Sequence, residues 1–261
     1  MEISLQGRSA LITGGSKGLG LAMARTFAQA GAEVAIVARR PEVLAEAKAH
    51  IEAAAPGRRV LPIAADVGRV EQVGEVWRQA SAGLGKVDIL VNNAGTSATG
   101  EFEGITDETW YADFELKLFA AIRLARHALP GMKERRWGRI INVLNTGAKA
   151  PLAKGAPTHV TRAAGMALTK VLAGEFAPHN VLVNALCTGI LVTEQWERRH
   201  QRMAADTEFE QFVSEQGKLV PLGRMGDPQE FANLACFLAS DAASYITGCA
   251  INVDGGRSPV V

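Results

Sequence analysis

The chain has 261 residues, enough for one large α/β domain with a well-buried core. Hydrophobic residues make up 48%, charged residues 21%, and the formal net charge is +1, which excludes a disordered chain and leaves no electrostatic footprint for nucleic acid or an anionic membrane. No apolar run approaches the roughly 20 residues that cross a bilayer. Met1-Glu2-Ile3-Ser4-Leu5 also lacks the basic-then-apolar pattern of a signal peptide, so the expected location is cytoplasmic.

Ser9-Thr13 reads as the first strand, and Leu19-Ala30 as an amphipathic helix closed by Gly31. Glu33-Ala38 is the second strand, Glu42-Ala54 the second helix and Val60-Ala65 the third strand. Val87-Asn92, Arg139-Leu144, Val181-Leu186 and Cys249-Val253 complete a set of seven. Most of these runs are apolar nearly throughout, as strands covered by helices on both faces must be. Before the last strand, Asp227-Pro228 reads as an N-cap with proline at the first helical position, opening a helix to Ala239. Alternation of this kind predicts an α/β fold: a Rossmann-type, doubly wound parallel sheet of seven strands with right-handed crossovers, in a single domain over residues 1–261. Only Glu194-Lys218 breaks the rhythm. An insertion there lies beyond the carboxyl ends of the strands, where ligands bind in such sheets, and reads either as a substrate lid or as a solvated helix pair. Cys187, Cys236 and Cys249 have no paired spacing, so neither a disulfide framework nor a metal site is expected.

The turn Thr13-Gly14-Gly15-Ser16-Lys17-Gly18-Leu19-Gly20 joins the first strand to the first helix. Glycines in that place let the backbone approach a pyrophosphate seated on the positive end of the helix. No Gly-Lys-Ser/Thr closes the turn, so it is not a triphosphate-magnesium loop. At the end of the second strand, an acid would hydrogen-bond the ribose 2′-hydroxyl of NAD. Ala38 stands there, followed by Arg39 and Arg40. An arginine grips a 2′-phosphate that a carboxylate would repel, and Lys17 adds a second cation, so the expected cofactor is NADP(H).

The spacing Gly14-x-x-x-Gly18-x-Gly20 resembles the short-chain dehydrogenase/reductase family. The likeness continues through Asn92-Asn93-Ala94-Gly95, Gly138-Arg139-Ile140-Ile141-Asn142-Val143, Val183-Asn184-Ala185, Pro221-Leu222-Gly223-Arg224 and Val253-Asp254-Gly255-Gly256, and is similar overall to 3-oxoacyl-[acyl-carrier-protein] reductase-like members. The resemblance implies cofactor contacts from Gly14, Ser16, Lys17, Gly18, Leu19 and Gly20, and from Arg39 beside the ribose. It further implies that Asp66 and Val67 meet the adenine, Asn92, Ala94 and Gly95 the adenosine ribose, and Thr193 the nicotinamide-phosphate end. It implies a small-molecule substrate and a homo-oligomer, dimer or tetramer, paired through the long helices after strands four and five. No nucleic-acid or membrane partner is expected.

The family performs carbonyl-alcohol chemistry with Asn, Ser, Tyr and Lys, and this chain departs at all four places. Aligned from Ala167-Leu168-Thr169-Lys170, the lysine position is Arg162 and the tyrosine position Thr158. The serine position is Asn145, and the asparagine position Lys117. No shift of frame restores a tyrosine, because none lies between Tyr111 and Tyr245. Tyrosine, with a pKa of about 10, is within reach of a neighbouring cation, whereas the alkyl alcohol of Thr158 is far weaker. Arg162 can anchor a ribose but cannot trade protons, having a pKa above about 12. Asn145 can still donate a hydrogen bond to a substrate oxygen.

Lys117 is open to two readings: a buried amine with lowered pKa acting as acid or imine former, or an ammonium filling the contacts of the lost asparagine. Consecutive helical residues point about 100° apart, which aims His159 at the lid rather than at the nicotinamide. Three functions stay open. One is an NADP(H)-dependent oxidoreductase with a non-standard proton donor. The others are a non-redox lyase, hydratase or isomerase, and a catalytically silent NADP(H)-binding protein.

Overall fold

The computed structural model describes residues 3–261; Met1 and Glu2 of the N-terminal segment lie outside the described residues. Seven parallel strands are ordered β3-β2-β1-β4-β5-β6-β7: β1 (Ser9–Thr13), β2 (Glu33–Ala38), β3 (Val60–Ala64), β4 (Ile89–Asn92), β5 (Gly138–Asn145), β6 (Val181–Thr188) and β7 (Ala250–Val253). The sheet agrees with the Rossmann-type, doubly wound single domain expected from the alternation of elements. Strand ends differ by a residue or two: β5 and β6 run on to Asn145 and Thr188, and β4 starts at Ile89. Asp88, just before β4, still donates its backbone N–H to Ser9 at 2.9 Å and accepts from Arg139 at 3.0 Å, so the ladder outlasts the regular strand.

Side chains alternate between two helical layers, as the two-residue period of a strand dictates. Ala10, Ile12, Val34 and Ile36 face α1 (Gly18–Gln29), α2 (Pro41–Ala54) and α9 (Pro228–Ala239). Leu11, Ala35, Val37 and Leu90 face the other layer, formed by α3 (Val70–Leu84), α5 (Ala120–Arg135) and α6 (Thr158–Phe176). α4 (Asp107–Phe114) leads into α5 through a π turn at Glu115–Phe119. Such wide turns occur mostly as single interruptions and often at functional sites. The 194–218 insertion folds as α7 (Glu194–Met203) and α8 (Phe209–Gly217).

α9 starts where the sequence places it. Asp227 Oδ1 accepts from Gln229 N at 2.7 Å, Glu230 Oε2 accepts from Asp227 N at 2.8 Å, and Pro228 opens the first turn. The reciprocal pair satisfies amide hydrogens that a helix start otherwise leaves open. Asp227→Ala removes the side-chain acceptor, so unfolding by denaturant should show a loss of about 1 kcal/mol.

Candidate active site

Strand order reverses between β1 and β4, so the chain leaves their carboxyl ends in opposite directions and opens a crevice. Threonine and asparagine stitch its floor. Thr13 Oγ1 accepts from Asn93 N at 2.9 Å and Ala94 N at 3.0 Å and donates to Val91 O at 3.2 Å. Asn93 Nδ2 donates to Thr13 O at 2.9 Å and Gly14 O at 3.2 Å. Gly14 needs φ +64°, and a Cβ there would stand 2.9 Å from Asn93 Nδ2. A Cβ on Gly20 would fall onto the Gly14 carbonyl oxygen, so the helix start packs on the turn with no room for a side chain.

Around this turn, Ser16 is half-buried, Leu19 packs its side chain on the core, and Lys17 and Arg39 are exposed with no ion-pair partner among the described residues. Asp66 is occupied in its own turn, with Oδ1 accepting from Gly68 N at 3.0 Å. Val67 is buried. Asn92 likewise turns its amide inward, donating to Asn142 Oδ1 at 2.8 Å. Thr193 precedes α7, and Thr193 and Glu194 close against Gly18, so the insertion begins at the lip of the turn. A close-packed glycine turn at a helix start, two cations and no carboxylate at Ala38 fit a pyrophosphate dinucleotide.

The second half of the crevice is built by one face of α6 against the π turn. Thr158, Thr161 and Arg162 share that face at three- and four-residue spacing. Lys117, in the π turn, has no exposed side-chain surface. Its ammonium forms an ion pair with Asp113 and donates to Thr158 Oγ1 at 2.9 Å. Thr158 Oγ1 also accepts from Ala98 N at 3.0 Å. A hydroxyl has two acceptor lone pairs and one hydrogen. With both lone pairs engaged, the Thr158 hydrogen is left to donate elsewhere.

Arg162 Nη1 donates to Val143 O at 2.7 Å, and its Nη2 lies against Gly95, where a Cβ would come within 2.5 Å of it. Asn145 ends β5 with its Oδ1 buried and unpartnered. Thus Lys117 and Arg162 converge beside Gly95, Thr158 joins them through the Lys117 ammonium, and Asn145 stands on the strand beneath α6.

Burial, then the neighbouring Arg162 charge, pushes the Lys117 ammonium down to about 8, against the upward pull of Asp113. Burial pushes the Arg162 guanidinium down to about 10, which leaves it charged at neutral pH. His159 does not turn to the lid as its position on the helix suggested. Its ring fits between Gly147 and Gly155, and Nδ1 accepts from Leu152 N at 3.1 Å. Burial and then the Lys117 charge lower its pKa.

Sequence reasoning missed Asp113, Thr161 and Asn93. The first had a signal, since Asp113 and Lys117 are four apart in one helical run. Asn93 stood within the Asn92-Asn93-Ala94-Gly95 motif, whereas Thr161 had no signal beyond its proximity to Thr158 and Arg162.

A family model described as enoyl-(acyl carrier protein) reductase matches residues 14–258. A monensin polyketide synthase ketoacyl reductase from Streptomyces virginiae is 38% identical over 95% of this chain and 96% of its own. L-sorbose reductase from Gluconobacter frateurii, solved with NADPH and L-sorbose, superposes with a TM-score of 0.95 at 36% identity over the whole of both chains. An NADPH-bound short-chain oxidoreductase from Pseudomonas aeruginosa PAO1, described as containing an atypical catalytic center, gives a TM-score of 0.91 at 36% identity over 99% of each chain. The chain therefore belongs to the short-chain dehydrogenase/reductase family of oxidoreductases.

Gly14→Ala forces a left-handed backbone on alanine and crowds Asn93. Fluorescence titration with a reduced nicotinamide dinucleotide, NADPH or NADH, should show affinity falling at least about tenfold, the equivalent of one strained contact.

Proposed function

We propose that this chain is an NADP(H)-dependent oxidoreductase that interconverts a carbonyl and an alcohol in a small molecule, drawing the proton from Lys117 through the hydroxyl of Thr158. The observation that carries this reading is the 2.9 Å bond from Lys117 Nζ to Thr158 Oγ1. The amine beside that hydroxyl has been brought to about 8, close to working pH, which favours proton transfer in either direction. Support also comes from two structural neighbours solved with NADPH, one of them described as having an atypical catalytic center.

Gly14, Ser16, Lys17, Gly18, Leu19 and Gly20 would hold the pyrophosphate end, with Asp66, Val67, Asn92, Ala94 and Gly95 toward the adenosine. Thr193 and Arg162 would hold the nicotinamide end. When bound, the dinucleotide supplies a hydride, with its two electrons, to the carbonyl carbon. Thr158 passes its proton to the carbonyl oxygen as it takes one from Lys117, so no free alkoxide forms on threonine. Lys117 is left as a neutral amine and regains its proton from water. Alcohol oxidation runs the same path backwards. Lys117, Arg162 and Asp113 together leave one net positive charge, which favours an oxygen gaining negative charge. Asn145, through its amide N–H, orients that oxygen.

Several finer points belong to the same reading. The helix pair α7–α8 covers the substrate. Lys17 and Arg39 select the 2′-phosphate of NADP(H), with Ala38 leaving no carboxylate to repel it. Exposed Phe119 at the end of the π turn, with Val160 and Val171 on α6, would form a surface for self-association.

Reduction needs the charged amine, so its rate should fall as pH rises through about 8, while alcohol oxidation should rise over the same range. A screen of aldehydes and ketones with NADPH provides the substrate; no turnover above background across the screen would overturn the reading. With that substrate, Lys117→Met and Thr158→Val should each lower kcat for reduction by about a hundredfold or more, with Thr158→Ser retaining most of it. Arg39→Ala should weaken NADPH binding at least about tenfold while leaving NADH binding unchanged, the signature of a lost charge-assisted grip on the 2′-phosphate.

A further inference from the structure

Asp113 lies outside the four positions where the family keeps its chemistry, yet its side chain is only 2% exposed. One carboxylate oxygen takes the ion pair from Lys117. The other accepts from Thr161 Oγ1 at 2.7 Å. A carboxylate in such a place is expensive to bury, and an apolar residue of similar size would often be more stable there. What it does is tie two elements together: Asp113 lies in the last turn of α4, just before the π turn, and Thr161 stands on α6 between Thr158 and Arg162.

The charged groups facing Lys117 can be taken element by element. Asp113 comes from α4. Arg162 and His159 come from α6, and Cys187 of β6 stands beside Arg162. Asp113 alone among them is a carboxylate. Burial and Arg162 both work against a charged amine, and Asp113 works for it.

We infer that Asp113 is the positioning residue of the proton path: clamped by Thr161, its carboxylate keeps Lys117 charged and aims its ammonium at Thr158. This rests on the reading that Lys117 supplies the proton. Without the carboxylate, the amine would lose its counter-charge while keeping both influences that favour the neutral form. It would also be free to swing from Thr158, because a lysine stem has four rotatable bonds and the Asp113 contact restrains its head. A carboxylate one methylene longer would preserve the charge while displacing its point of attachment.

The test is the pH profile of NADPH-dependent reduction, with NADPH affinity measured beside it. Asp113→Asn should move the alkaline limb to lower pH by about one to three units, as loss of an opposite charge at contact does, with NADPH affinity unchanged. Asp113→Glu should keep the limb in place and lower kcat at least about tenfold, with KM unchanged; this variant carries the test if the asparagine variant does not fold. A limb that stays in place in Asp113→Asn, or an unaltered kcat in Asp113→Glu, overturns the assignment. Lys117→Met separates the two claims. If it leaves the limb where it was, the proton-supply reading itself fails; if it removes the limb and Asp113→Asn does not move it, only the role of Asp113 fails.

Discussion

An ammonium removed from water, with a guanidinium beside it, is the constraint around which the site is organised. Lys117 has no exposed side-chain surface, and burial opposes its charge before any neighbour acts. Its surroundings answer with one carboxylate and one hydroxyl, each in contact with the ammonium. The balance brings the amine down to about 8. A lysine in water, at about 10.4, would hold its proton too tightly to exchange it readily. An isolated threonine would be a poorer donor still. In the mechanism we propose, the two would divide the work of one stronger acid: Thr158 would bring the hydroxyl to the reacting oxygen, and Lys117 would supply the acidity.

The fold places these groups by ordinary means. Parallel strands gather every functional turn at one end of the sheet, and reversal of strand order at β1 and β4 opens the crevice there. Thr13 and Asn93 bind the two turns to each other, so the glycine turn and the segment that leads to Gly95 share a floor. On the far side, the three- and four-residue spacing of α6 sets Thr158, Thr161 and Arg162 in a row. The π turn ahead of α5 carries Lys117 under that row. Gly95 completes the fit, since any side chain there would meet Arg162.

The seven strands and the cradle were legible because both follow short-range rules. Apolar runs of strand length, glycines at a strand-to-helix junction and an Asp-Pro helix start each state their conformation locally. The absence of tyrosine was equally plain, as was the cation at position 117. The partners of that cation were less so. Asp113 could have been paired with Lys117 by helical spacing, but a π turn between them was not readable, and nothing local links either residue to Thr161. His159 shows the same limit. Its place on the helix suggested the lid, whereas the space left by Gly147 and Gly155 drew the ring to the opposite segment. Long-range contacts decide which of several plausible directions a side chain takes.

The proton on the Lys117 nitrogen can be observed without turnover. The Cε resonance of Lys117, assigned by its disappearance in Lys117→Met, can be titrated by NMR in protein labelled with carbon-13 at lysine. A midpoint near 8 is expected. A midpoint at the ordinary lysine value of about 10.4 would contradict it, because the amine would then be no better suited to exchange a proton than any lysine on the surface.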